Sequence, residues 1–319
     1  MFEQRIKRVF PDRPIVEIED KDAIFHTVYD LDERYQVPGA AHLSLGYKNN
    51  GIGAHWRGIY DDQGRILSLI HILVSGAQRR AHREYVETVQ KIHDGAIGDI
   101  TALYANYLSG PVFHAERREP KWSDMEWQLR NWYSFIWICG DQIVEQHFHN
   151  IDFMNWLMGA HPVKVVASGG AAWRPREELY GNIYDHMSSD FTYPSGAHLS
   201  SHCRQYPKGS YTNVSDMIVG AKGRSNGMDM GAPGINPYVQ EHINMIRSIR
   251  GDGPYLNYSL PIAESTLTAI MARESAYSGQ EITWDQVVNS QLNLMPKTFG
   301  HDIKMDPAPL PVPGAYKFV

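Results

Sequence analysis

Cysteine is scarce in this sequence: Cys139 and Cys203 are the only two in 319 residues. Two cysteines cannot build a disulfide framework, and no Cys-x-x-Cys pair of the kind that binds zinc occurs. We therefore expect both to be free thiols in a reducing compartment. His-Glu-x-x-His and Gly-x-Ser-x-Gly patterns are also missing, so nothing in the sequence supports a zinc protease or a serine hydrolase.

Long hydrophobic runs are missing as well. No stretch reaches the ~20 apolar residues that a membrane-spanning helix needs, and residues 1–20 are too rich in charge for a secretory signal. The net charge of −6 gives no electrostatic reason to expect nucleic acid or an anionic membrane as a partner. A cytoplasmic location is therefore the default expectation.

What is present is the composition of an ordinary globular protein. Hydrophobic residues make up 43% of the chain and charged residues 21%. At ~150 residues per domain, a chain of this length predicts about two domains.

The segment Gly140–Asp152 carries the most informative pattern. It spaces Glu145, His149 and Asp152 by four and then three residues, which on one helix places all three within a narrow stripe opposite the apolar side chains. A carboxylate beside an imidazole can fix the tautomer of the imidazole and bring the pKa of the imidazole towards neutrality. These three side chains can therefore move a proton and bind hydroxyl groups. The alternative is a solvated polar face with a simple Glu145–His149 pair.

Aromatic and hydrogen-bonding residues alternate just upstream, in the segment Trp122–Tyr133. Aromatic rings with a few polar groups suit a sugar-sized polyol, which has apolar faces and hydroxyl edges. The alternative is an aromatic core cluster with a polar rim.

Fifteen histidines raise the question of a metal site. His147 and His149 are two residues apart, so on a helix they point in nearly opposite directions and cannot share an ion. Glu145 and His149 have ligand spacing, but no third ligand is evident nearby. The sequence therefore predicts no metal.

Several separate motifs occur in the order in which one known family carries them. They are Gln78–Arg80, Gly95–Asp99, Trp122–Trp132, Gly140–Asp152, Gly181–His186, Cys203–Gln205 and Ala272–Trp284. From about residue 74 to the C-terminus the chain therefore resembles the Gfo/Idh/MocA oxidoreductases. The resemblance implies NAD(P)-linked oxidation or reduction of a sugar or cyclitol hydroxyl. It also implies an α+β domain with an open, mainly antiparallel sheet whose free face forms a homo-oligomer interface.

Roles for individual residues follow from the same resemblance. His149 matches the catalytic histidine, which takes the hydroxyl proton. Glu145 stands where the family usually has an aspartate that orients this histidine, and its longer arm changes the proton relay. Candidates for binding the substrate are, in falling order, Asp152, Arg130, Asn131 and His186.

The dinucleotide-binding half of that family is not recognisable. No Gly-x-Gly-x-x-Gly turn occurs; Gly51 and Gly53 supply two of its glycines, but Trp56 takes the third place, so we interpret this stretch as a loop. The family's Glu-Lys-Pro motif is missing too. We therefore expect no complete Rossmann domain and no cofactor bound by this chain, although intact relatives use NAD or NADP.

Residues 1 to about 66 instead resemble a bacterial α/β domain of unknown function, through Phe10–Pro14, Ile24–Asp30 and Trp56–Ile66. The hexapeptide Leu67–Ile72 resembles a translated sequencing adapter, although an ordinary buried strand would look similar. We hypothesise a fusion of two truncated domains. The expected segments are a truncated α/β fragment (1–72), a remnant strand and linking helix of the dinucleotide domain (73–99), and a substrate and oligomerisation domain (100–319).

Three functions remain open at this stage. The chain could be the substrate part of an NAD(P)-dependent sugar or polyol oxidoreductase that is inactive alone for want of its cofactor half. It could be a non-catalytic polyol-binding or assembly module. It could also be a fusion without activity.

Overall fold

The computed structural model describes residues 15–16, 53–60, 66–111, 117–174, 178–250, 252–300 and 303–319. The backbone divides into two compact units. Unit 1 comprises Met1–Val86 and Ala232–Ile262, and unit 2 comprises Glu87–Gly231 and Ala263–Val319. Residues 232–262, which the sequence places in the third expected segment, thus cluster with the N-terminal unit.

Helices and strands alternate irregularly along the described residues. The strands are β1 Ile15–Val16, β2 Gly53–Tyr60, β3 Ile66–Val74, β4 Ile100–Ser109, β5 Lys164–Gly170, β6 His186–Thr192, β7 His198–Gln205, β8 Asn213–Gly220, β9 Gly223–Ser225 and β10 Ile282–Thr283. The helices are α1 Arg83–His93, α2 Asp124–Arg130, α3 Ile136–Cys139, α4 Gln142–Glu145, α5 Phe148–Met158, α6 Pro237–Arg250, α7 Ser259–Ser278 and α8 Trp284–Val288. Short 3-10 turns occupy Gln78–Ala81, Trp132–Ser134 and Glu178–Tyr180.

Unit 1 contains a three-stranded antiparallel sheet in the order β1-β2-β3. The hexapeptide Leu67–Ile72 lies inside β3; Leu67 sits at a bulge where the register shifts, and Ser68 to Ile72 pair with β2. The apolar and β-branched pattern of residues 55–74 predicts strands there, and the hairpin of β2 and β3 confirms this prediction. The sequence likewise predicts a helix from Pro237 to Arg250, ended by the glycines that follow, and α6 has these bounds. A strand that the pattern predicts at 22–30 and the resemblance to an α/β fragment lie largely outside the described residues.

Unit 2 is built on a seven-stranded sheet in the order β10-β5-β6-β7-β4-β8-β9. Within it, β4 and β7 run parallel while the other neighbouring strands are antiparallel. The predicted mainly antiparallel sheet is therefore confirmed. The turn residues Pro194 to Gly196 predict a hairpin, which β6 and β7 form. Gly196 takes a positive φ of 85° in the turn, and the Tyr193 N–H donates to the Ala197 carbonyl at 2.9 Å.

Helices cover one face of this sheet. Alternate strand residues on that face are fully buried, among them Leu103, Phe191 and Ile218. The helix α7 reaches the sheet directly, because the Ser275 hydroxyl of α7 accepts the Ala167 N–H of β5 at 2.8 Å. On the opposite face apolar side chains are exposed, namely Tyr104, Val166 and Met217. A sheet with one covered and one open face is typical of antiparallel sheets.

No helix in the described part of the chain is both long enough and apolar enough to cross a membrane.

Candidate functional site

The residue spacing in Gly140–Asp152 predicts one continuous helix, but in the structure this segment forms two helices. The helix α4 ends at Glu145, a turn follows at Gln146 and His147, and α5 begins at Phe148. His147 occupies the break and is fully buried, with its Nε2 atom 2.6 Å from the Ser201 hydroxyl of β7. We attribute the break to this contact, which draws the ring towards the covered face of the sheet.

Glu145 is half-buried at the end of α4. Its Oε2 atom accepts a hydrogen bond from the Gln146 amide nitrogen at 2.6 Å, and its carboxylate is also hydrogen bonded to the Tyr133 hydroxyl. Burial raises the pKa of Glu145 above its usual value, and the hydrogen bonds from Gln146 and Tyr133 oppose that rise. The site thus holds a carboxylate whose proton affinity is set by its donors.

His149 is half-buried in the first turn of α5, four residues after Glu145. Its ring lies edge-on to Phe148, with the ring centroids 5.8 Å apart. His149 and His147 thus differ in setting, since His147 is enclosed and His149 is not.

Asp152 does not share an accessible stripe with the other two. Its side chain is 1% exposed and accepts a hydrogen bond from the Ser265 hydroxyl of α7 at 2.9 Å. The predicted common stripe is wrong here. The break places Glu145 on a different helix from His149 and Asp152, and α7 covers Asp152. Asp152 is part of the packing between two helices.

Arg130 and Asn131 are engaged at the end of α2. The Arg130 guanidinium pairs with Glu126 at 3.0 Å and lies 4.7 Å from the centre of the Trp122 ring. Asn131 is buried at the C-cap, where its N–H donates to the Trp127 carbonyl at 3.0 Å. The two predicted binding residues therefore have structural partners on α2.

The aromatic segment divides between the core and the site. Trp122, Trp127 and Phe135 form a buried cluster, which favours the core alternative for most of the segment. Tyr133 differs, since its buried hydroxyl reaches Glu145. Sequence spacing could not predict the contact between Tyr133 and Glu145, because the two residues lie on different helical segments.

His186 is held by its neighbour in sequence. Asp185 is fully buried and accepts the backbone N–H groups of Ala172 and Trp173, each at 3.0 Å. The same carboxylate lies 2.8 Å from the Nδ1 atom of the partly exposed His186. This contact fixes the orientation of the ring and leaves its Nε2 edge for a ligand.

Gln205 and Arg174, which extend the hydrogen bonding around Tyr133, were not identified from the sequence. The Gln205 amide nitrogen donates to the Tyr133 hydroxyl, and the Gln205 carbonyl oxygen accepts from the Arg174 guanidinium at 3.5 Å. Gln205 lies in the Cys203–Gln205 motif, which offered the one available signal, but its side chain contacts depend on how β7 packs.

The described residues contain no group of three His, Cys, Asp or Glu side chains that could hold a metal ion. A dinucleotide turn does not fit the chain at Gly53 either. That glycine opens β2, and Trp56 lies within the strand opposite His71, whereas a dinucleotide turn leads into a helix N-terminus. The earlier interpretation of this stretch as a loop is thus wrong from Gly53 onwards.

Solved structures share this fold. An oxidoreductase from Thermotoga maritima is 18% identical with a TM-score of 0.50, and the match covers 66% of this chain and 62% of that one. A scyllo-inositol dehydrogenase from Lactobacillus casei, solved with bound NAD(H) and scyllo-inositol, is 16% identical with a TM-score of 0.50, covering 67% and 64%. The chain thus spans less than two thirds of either structure, and at these identities the likeness concerns the fold.

Among curated proteins no match to the chain is found. A family model does match part of it, over most of the residues that carry the sheet and the Glu145 site. Residues 85–225 match the GFO/IDH/MocA C-terminal domain.

Proposed function

We propose that this chain contains the substrate-binding part of a sugar or cyclitol oxidoreductase and binds such a polyol through the Glu145–His149 site. The observation that carries the proposal is the Glu145 carboxylate, which is half-buried, is held by two donors and stands four residues before His149 in the chain. A carboxylate and an imidazole in this order can accept and hold a hydroxyl proton. The family match over residues 85–225 supports the assignment.

In the proposed chemistry His149 accepts the proton of a substrate hydroxyl. Glu145 keeps the imidazole oriented and stabilises its charged form. His186, whose ring is fixed by Asp185, stands on the same side of β6 as Asp190, on the open face of the sheet, so we do not assign it to the same hydroxyl group. Arg130 and Asp152 are the weaker candidates, since Arg130 pairs with Glu126 and Asp152 lies against α7. No hydride step is assigned to this chain, because no dinucleotide turn is found in it.

His149→Ala is expected to weaken sugar binding about tenfold, the cost of one hydrogen bond to a polar ligand. Wild-type affinity should itself be poor, about millimolar or ~4 kcal/mol, if no cofactor closes one side of the site, as we propose. Ligand-observed NMR with a panel of sugars and cyclitols measures both values.

His147→Ala is the matched control for this experiment. Its ring is enclosed beneath the sheet, so its removal should lower the stability of unit 2 and leave sugar affinity nearly unchanged. Equal loss of affinity in the two variants, or loss in His147→Ala alone, would contradict the proposed site.

Tight binding of NAD or NADP is not expected. The sequence contains no glycine turn of the kind that lets a pyrophosphate approach the backbone closely, and no acidic residue follows Gly53 at ~20 residues to bind the ribose. Isothermal titration calorimetry with both dinucleotides tests this expectation. A micromolar dissociation constant would show that the N-terminal residues build a different cofactor site.

A second candidate function is assembly through the open face of the sheet. The exposed Tyr104 of β4 and Met217 of β8 lie next to each other. The exposed Val166 of β5 is separated from them by the strands β6 and β7. Exposed apolar side chains on an open sheet face favour a protein partner. In this case the partner would be a second copy of the chain, and sedimentation equilibrium would detect it.

A further inference from the structure

Two hydrogen-bond chains converge on the Glu145 carboxylate. One runs from Arg174 through Gln205 to Tyr133 and then to Glu145. The other runs from Tyr107 through Gln146 to Glu145, with both of its bonds at 2.6 Å. All of these residues belong to unit 2.

The direction of the first chain is fixed by its ends. A guanidinium can only donate, so the Gln205 carbonyl oxygen must face Arg174 and its amide nitrogen must face Tyr133. The Tyr133 oxygen therefore accepts from Gln205. Its own hydrogen is left to be donated to Glu145.

The second chain has the same direction. An ionised carboxylate can only accept, so the Gln146 amide nitrogen faces Glu145 and its carbonyl oxygen faces Tyr107. The Tyr107 hydroxyl is then the donor. Hydrogen bonds that point the same way along a chain polarise and strengthen one another.

The Gln205 side chain is rigidly placed for this role. It is fully buried, its backbone carbonyl accepts the Trp173 indole N–H at 2.5 Å, and its N–H donates to the Asp185 carbonyl at 2.8 Å. These bonds hold its backbone, while burial and the contacts with Arg174 and Tyr133 hold its side-chain amide in one orientation. A fixed Gln205 in turn fixes the Tyr133 hydroxyl.

We infer that Tyr133 and Gln146 are positioning residues that keep Glu145 ionised and hold its carboxylate in one orientation for His149. The inference rests on the proposed function for the role of His149, but the contacts themselves do not. It also accounts for glutamate at this position: the longer arm is anchored by two donors, whereas a free glutamate would lose that orientation to rotamer entropy.

Burial opposes the ionisation of Glu145, because it raises the pKa of this carboxyl group. Burial, together with the negative charge of Glu145, also raises the pKa of the Tyr133 hydroxyl. Asp141, one turn earlier, also raises the pKa of Tyr133. Tyr133 therefore stays protonated and remains a donor, while Glu145 depends on its two donors to stay charged.

The test is a titration of Glu145 in the full chain labelled with carboxyl-13C glutamate, with the signal assigned from its loss in Glu145→Gln. Tyr133→Phe removes one donor and should raise the pKa of Glu145 by about one, the scale of a charge-assisted hydrogen bond. Gln146→Met removes the donor on the other side and should have a similar effect. Because Gln146 is only half-buried, this variant keeps the test available if Tyr133→Phe does not fold.

Tyr193→Phe is the matched control. It deletes another buried tyrosine hydroxyl, which donates to Asn155 at 2.7 Å, and should leave the pKa of Glu145 unchanged. An unchanged pKa in folded Tyr133→Phe or in Gln146→Met, or an equal rise in Tyr193→Phe, would overturn the inference. No sugar or cofactor enters this titration, so a failure of sugar binding would reject the proposed function without changing its outcome.

Discussion

Gly181→Ala is expected to destabilise unit 2 by more than about 3 kcal/mol, the range reached by forced backbone strain and overpacking. Gly181 has a φ of +61°, and an added Cβ would lie 1.9 Å from the Ser134 carbonyl oxygen. That carbonyl cannot simply move away, because it accepts the Asn182 N–H at 2.9 Å. Asn182 in turn accepts the Ile136 N–H at the start of α3, so the damage should reach the segment that leads to Glu145.

Urea denaturation followed by tryptophan fluorescence measures this loss, since the buried Trp122 and Trp127 lie in unit 2. Gly196→Ala is the matched control: its φ is +85°, but nothing lies within 4 Å of the added Cβ. It should cost only the penalty of a left-handed conformation, about 1–2 kcal/mol. Equal losses in the two variants would mean that the approach of Ser134 does not matter.

Asp141→Ala is expected to cost about 3–5 kcal/mol, the price of removing one partner from a buried charged network. Asp141 is fully buried, and its Oδ2 atom accepts the Tyr184 N–H at 2.8 Å and the Tyr277 hydroxyl at 2.5 Å. Its Oδ1 atom accepts the Gln142 N–H at 2.5 Å and caps α4. The substitution leaves buried donors without acceptors. Denaturation in urea at pH 7 gives the value.

Asp190→Ala is the control for Asp141→Ala. Asp190 pairs with His198 at 2.9 Å on the open face of the sheet, where the two side chains are 59% and 54% exposed. An ion pair in this setting contributes about 0–1 kcal/mol. A loss in Asp190→Ala as large as that in Asp141→Ala would contradict the network as the cause.

The same carboxyl group should make stability depend on pH. Burial raises the pKa of Asp141 to about 6, against 3.8 for a free aspartate, and the Tyr277 and Tyr184 hydrogen bonds only partly oppose this. A raised pKa means that the fold favours the protonated form, so its contribution is complete below about pH 4 and falls as pH rises through about 6. Asp141→Asn should flatten the stability profile in this window. An unchanged profile would show that another group titrates there.

Local features of the fold were predictable because they depend on neighbouring residues. The turn at Pro194–Gly196 predicts the β6–β7 hairpin, and Gly279 ends the last long helix at Ser278, as expected. The site motif was readable for the same reason, since Glu145 and His149 stand at helical spacing. Their match to a family motif needs no tertiary information.

Contacts between distant residues decided the rest. His147 contacts Ser201 at the break, and the buried Asp152 contacts Ser265. Both partners lie far away along the chain, so residue periodicity could not predict either contact. Arg130 differs from these two, since its partner Glu126 stands only four residues earlier on α2.

The sequence by itself determined the hairpin and the ends of the long helices, since periodicity and turn chemistry are local properties. The mainly antiparallel sheet and the Glu145–His149 motif were expected from the resemblance to a family. Only the tertiary structure decided which polar groups surround Glu145. Tyr133 and Gln205 are 72 residues apart, and their hydrogen bond exists because β7 brings the Gln205 amide to the Tyr133 hydroxyl. A buried carboxylate must have such donors, but packing alone selects which residues supply them.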